Sequence, residues 1–167
     1  MRSKRFRQYL GLLSAIAAYY LVHEGAHLLY ALGIGAFTQI GFLGLGMQID
    51  VYPDKMTAVQ MGVFCLVGSV ATMVVAYMLV AAAEILLKAT SDVFKACMYY
   101  VTIAMLLLDP LYLSVLCGFF GGGDMNGIVL LVPELPARMM YGGLLVLHAV
   151  LFFRIVLPKY KAAFEKG

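Results

Sequence analysis

Tyr19-Tyr-Leu-Val-His23-Glu24-Gly-Ala-His27-Leu-Leu-Tyr30 is an H-E-x-x-H sequence set inside an apolar run from about Gln8 to Gly35. On a helix, His23 and His27 fall one turn apart on the same face, close enough for both imidazoles to hold a single Zn²⁺. Glu24 falls beside them, where a carboxylate can take a proton from an attacking water and later hand it to a leaving amine. Ionisable residues near the centre of a membrane helix cost about 2.5–3.5 kcal/mol each on insertion scales, so this group calls for a compensating partner. Helix-to-helix hydrogen bonding is the simpler use of such side chains, but it gives Glu24 no task.

Around this stretch the chain of 167 residues is 63% hydrophobic and 13% charged, with a mean hydropathy of +0.93. That balance describes an integral membrane protein and excludes the surface of a soluble domain. Apolar spans of about 20 residues can be placed at roughly 9–35, 58–87, 96–118 and 139–157. The expected fold is therefore all-α, with about four transmembrane helices, a short β-hairpin-like insert and a Gly-rich broken segment. Four spans use most of the chain, so 1–167 reads as a single transmembrane domain without internal repeat or linker.

The first span follows Arg2, Lys4, Arg5 and Arg7, and is too long for a removable signal peptide. With the N-terminus in the cytoplasm, Lys88, Lys95, Arg154, Lys159, Lys161 and Lys166 are inside as well, leaving Lys55 and Arg138 outside. Both termini are thus expected in the cytoplasm. The net charge of +3 is first an orientation signal, and no basic, aromatic-interleaved patch points to nucleic acid. Cys65, Cys97 and Cys117 lack C-x-x-C spacing and read as buried small side chains.

Between the first two spans, Met47, Ile49 and Val51 alternate with Gln48, Asp50 and Tyr52, and Gly44 and Gly46 offer a turn. This period of two predicts a short hairpin within 37–53, whose edge could accept an extended peptide. Gly25 and Ala26 in the first span, and Leu66-Val-Gly-Ser-Val-Ala-Thr72 in the second, are small enough to let helices approach closely. Glu84 can reach Lys88 at i,i+4. A catalytic zinc usually takes three protein ligands and keeps one position open. Asp109 and Asp124 are the candidates for the third. Helical rise puts Asp109 about 20 Å into its span, close to the depth of the histidines. The Gly121–Gly123 run gives the chain freedom to turn back and present Asp124 at the start of a new helix. His148 reads as an interhelical hydrogen bonder, and the tail from Lys159 as a basic end near anionic lipid.

These residues resemble the site-2 protease family of intramembrane zinc metalloproteases, particularly its small bacterial members, over about residues 10–145. The likeness rests on His23-Glu24-Gly-Ala-His27 in a first core helix, a hairpin-like insert, a second helix with small residues, and a later Gly-rich turn bearing an aspartate. Gly122-Gly123-Asp124-Met125-Asn126-Gly127, followed by an apolar run and Pro136, is similar to the family's aspartate turn. It departs from the commoner Asn-x-x-Pro-x-Pro-x-Leu-Asp-Gly form, and Gly68-Ser69-Val-Ala71 stands where many members have Gly-Pro and then Asn. The resemblance implies zinc held by His23, His27 and Asp124, with Glu24 catalytic. It also implies a transmembrane protein or membrane peptide as substrate, in the lipid bilayer of a bacterial inner membrane. Competing expectations are a catalytically inactive membrane metal-binding or scaffold protein, and a metal or haem carrier using His23, His27 and Asp109.

Overall fold

The computed structural model describes residues 3–43 and 46–165; Arg2, Lys166 and the turn expected at Gly44 lie outside them. The first helix, α1 (Lys4–Gly33), starts at Ser3, whose Oγ accepts the Phe6 N–H at 3.3 Å, satisfying one of the donors left open at a helix start. It ends at Ile34, and Gly35 turns the chain with φ +69°, a conformation that favours glycine. The next two segments, β1 (Phe37–Leu43) and β2 (Gly46–Val51), pair antiparallel, with Ile40 opposite Ile49 and Leu43 opposite Gly46. The expected hairpin is present. Its inner face carries the buried Ile49, while Gln48 is exposed, as alternation requires.

Helix α2 (Ala58–Leu86) opens on a capping box in which Thr57 Oγ1 accepts from Gln60 N and Gln60 Oε1 accepts from Thr57 N. Helix α3 (Asp92–Ser114) contains Pro110. A proline has no N–H, so the Leu106 carbonyl one turn earlier loses its helical donor. His148 repairs this, its Nδ1 donating to Leu106 O at 2.7 Å. A short helix α4 (Met125–Ile128) follows the Gly-rich turn, then α5 (Glu134–Leu151), a π-helical turn over Phe152–Val156, and α6 (Leu157–Glu165). The π turn ends two residues before Pro158, whose missing N–H leaves the Arg154 carbonyl within the turn without its helical donor.

Ala58–Leu86, Asp92–Ser114 and the continuous Glu134–Glu165 are long and apolar enough to cross a membrane. Among the described residues, then, three segments qualify where the sequence led us to expect about four. α1 has the length, at 30 residues, but His23, Glu24, His27 and its tyrosines lower its hydropathy. α1 packs against both α2 and α3.

Two ion pairs gather one end of the bundle. Arg7 bonds Asp92 at 2.6 Å, joining the starts of α1 and α3, and Lys159 bonds Glu84 at 2.8 Å, joining α6 to the end of α2. Lys88 acts on Glu84 through its charge, but the direct ion pair is made with Lys159, because α6 lays it against the end of α2. The cysteines are free, with Cys65 and Cys117 buried.

Candidate metal centre

One face of α1 presents His23 and His27, both buried, toward α2. His27 Nδ1 lies 2.7 Å from the Phe64 carbonyl oxygen, which only accepts, so Nδ1 carries the proton and Nε2 keeps its lone pair. On His23, Nδ1 lies 3.2 Å from Asp109 Oδ1, outside good hydrogen-bond geometry. That carboxylate favours a proton on Nδ1 and leaves Nε2 as the second lone pair.

Asp124 supplies the third donor. Gly121, Gly122 and Gly123 take φ values of +79°, +86° and +50°, and this left-handed run turns the chain so that α4 begins directly after Asp124. Asp124 Oδ2 lies 3.0 Å from His23 Nε2 and 3.5 Å from His27 Nε2, and the two imidazole Nε2 atoms are 3.1 Å apart. Two lone-pair nitrogens and a carboxylate oxygen at these distances repel one another unless a cation or proton lies between them. Ligands of a tetrahedral zinc with bonds of 2.0–2.1 Å stand about 3.3 Å apart, and the observed spacings bracket that value. His23, His27 and Asp124 could therefore hold a metal ion.

Asp109, the other candidate, stands on the far side of His23 from this cluster. Its Oδ1 accepts from Tyr19 Oη at 2.5 Å, and its Oδ2 accepts from Thr72 Oγ1. The Tyr19 ring stacks on His23 at 5.2 Å between centroids. Asp109 thus buttresses the His23 ring and its tautomer.

Close approach of α2 is made possible by Gly68. A Cβ there would lie 2.5 Å from His27 Nε2 and 2.8 Å from His23 Nε2. At Gly25, in contrast, nothing lies within 4 Å of an added Cβ, so the expected packing at that position is not found among the described residues. Glu24 is half-buried and lines a cavity of about 480 Å³ together with His23, His27, Asp124, Tyr20 and Tyr112. Met47, Gln48 and Ile49 of β2 form another wall, and the Ile49 backbone N–H faces the Glu24 carboxylate.

Gly68 lies in the small-residue stretch expected to let helices approach closely, and it does so against the two histidines, whereas sequence reasoning assigned no role to Tyr19, Phe64 or Tyr112 and did not foresee the bond from Thr72 to Asp109. Tyr19 had a signal, standing four residues before His23 and so on its face of the helix. The Phe64 carbonyl had none, since main-chain groups carry no sequence signature. No family model, curated protein or solved structure matches the chain.

Proposed function

We propose that the protein is an intramembrane zinc metalloendopeptidase that hydrolyses peptide bonds in or near the transmembrane segments of other membrane proteins or peptides. The observation that carries this reading is the meeting of His23 Nε2, His27 Nε2 and Asp124 Oδ2 within 3.5 Å, beside a cavity that Glu24 also lines. In this reading α1 is a fourth membrane span whose polar residues face its helix neighbours and the cavity. The end carrying Arg7, Lys88, Lys95 and Lys159 is cytoplasmic, which puts both termini inside, and the membrane is that of a bacterial cell.

Zinc bound by these ligands would supply an acidified water and a Lewis acid for the scissile carbonyl. The rest is the work of the chain. Glu24 accepts the proton of the attacking water and returns it to the leaving amine. Asp109 and the Phe64 carbonyl keep the proton of each imidazole on Nδ1, so that both Nε2 atoms face the centre. A helical substrate hides its carbonyls in its own hydrogen bonds and must unwind to be cut. β2, which walls the cavity, offers main-chain groups with which an extended segment can pair.

Zinc content and cleavage separate this proposal from a silent metal-binding protein. Wild type purified in detergent should carry stoichiometric zinc, which His23→Ala and Asp124→Ala lose. Glu24→Gln should keep the zinc and lose cleavage of single-span peptides in liposomes. Folded, metal-supplied wild type without zinc would end the metal-centre reading. Zinc with no Glu24-dependent turnover would leave a metal-binding protein and remove the protease.

A further inference from the structure

At the end of the bundle away from the hairpin, a cavity of about 400 Å³ opens between the end of α2, the first turn of α3 and α6. Lys88, Lys95 and Lys159 line it, with Glu84 as the acidic group and Leu87 and Ala162 as apolar walls. Lys159 is engaged by Glu84 at 2.8 Å. Lys95 is 8% exposed, and its Nζ reaches Asp92 Oδ1 only at 3.7 Å, too far for a hydrogen bond. Asp92 is already held by Arg7 through its other oxygen at 2.6 Å. Lys88, also on the cavity wall, acts on Glu84 through its charge alone.

A buried ammonium keeps its charge only when its donors find acceptors. Here such an ammonium lines a cavity alongside two more lysines, and the nearby carboxylates are already engaged by Arg7 and Lys159. The group that completes this arrangement is an anion. The cavity lies at the ends of helices long and apolar enough to cross a membrane. Leu87, Ala162 and Ala163 supply apolar wall beside the lysines, and Ile85 and Phe94, exposed at 71% and 38%, add apolar surface to the same ends of α2 and α3. We propose that this cavity binds the phosphate group of an anionic phospholipid. The inference is independent of whether the metal centre is catalytic.

The test is a lipid titration of the delipidated full-length protein in detergent, read by native mass spectrometry, with phosphatidylglycerol against phosphatidylcholine and against inorganic phosphate. Phosphatidylglycerol should bind more tightly than phosphatidylcholine by roughly tenfold or more, given the attraction of each lysine for an anionic headgroup. Lys88→Gln with Lys159→Gln should remove most of that preference, since both lie on the cavity wall and the Lys95–Asp92–Arg7 cluster stays intact. Inorganic phosphate that displaces the lipid and binds alone with equal strength would keep the phosphate site and assign it to the soluble anion. Equal binding of the two lipids, or a preference undiminished in the double variant, would overturn the proposal.

Discussion

Asp109 and His23 face each other with Oδ1 at 3.2 Å from Nδ1, on the side of the imidazole turned away from Asp124. A carboxylate in this position favours a proton on the ring nitrogen that faces it. Tyr19 and Thr72 in turn hold the carboxylate, so that His23 presents a lone pair to the centre whether or not a substrate is near.

The first prediction concerns that carboxylate. Asp109→Asn keeps the size of the side chain but removes its charge, and zinc affinity should fall about 10–100-fold. Competition against a fluorescent chelator measures this directly, with far-UV circular dichroism as the check on folding. An unchanged affinity in a folded variant would limit Asp109 to holding Tyr19 and Thr72.

Gly68 gives the second. Its missing side chain leaves room for two imidazoles, and an added Cβ would stand 2.5 Å from His27 Nε2 and 2.8 Å from His23 Nε2. Those are ring atoms of buried side chains, with little freedom to retreat. Gly68→Ala should lower the zinc content while the helices stay formed. Where zinc is forced in, displacement of the ligands by an ångström should reduce cleavage by about 10²-fold. Full zinc and full activity in this variant would mean that α1 and α2 can separate without harm.

The glycine turn supplies the third prediction. Gly123 has φ +50°, where a residue with a Cβ costs roughly 1–2 kcal/mol, and that Cβ would lie 2.5 Å from Tyr112 Oη. Gly123→Ala should displace Asp124 and weaken zinc binding. Tyr112→Ala in the same chain removes the collision and should restore part of the affinity. No recovery in the double variant would assign the effect to backbone strain alone.

How much of this was legible beforehand differs by element. The histidines and Glu24 were read from a spacing of four on one helix, and the hairpin from its period of two, because both signals are local. The choice between Asp109 and Asp124 was not local. Depth along a helix axis says how far into the bundle a carboxylate sits, but not which ring nitrogen it faces, and here the two aspartates stand on opposite sides of His23. A span was also expected at about 9–35, but the polar residues that could hold a metal lower the hydropathy of α1, and among the described residues the segments long and apolar enough to cross a membrane are Ala58–Leu86, Asp92–Ser114 and Glu134–Glu165. Glu84 shows the same limit on the surface. The i,i+4 rule sees only its own helix, whereas the partner found is 75 residues away.

His148 was read as an interhelical hydrogen bonder, and the structure shows what it bonds. Leu106 O would take the N–H of residue 110 in an unbroken helix, but residue 110 is proline. His148 Nδ1 fills the vacancy at 2.7 Å, and its Nε2 accepts from Tyr77 Oη at 2.6 Å. In a bilayer no water is at hand to satisfy the abandoned carbonyl. His148→Ala should therefore lower stability by about 1–3 kcal/mol with zinc content unchanged, measured by thermal unfolding in detergent and metal analysis. The sharper test is the same substitution in a Pro110→Ala chain, where an alanine N–H becomes available to Leu106 and the loss from His148→Ala should shrink. Purely additive losses would show that His148 and the proline are uncoupled. Coupling would explain why a proline can stand beside Asp109, one residue away in the helix that buttresses His23 of the candidate metal centre.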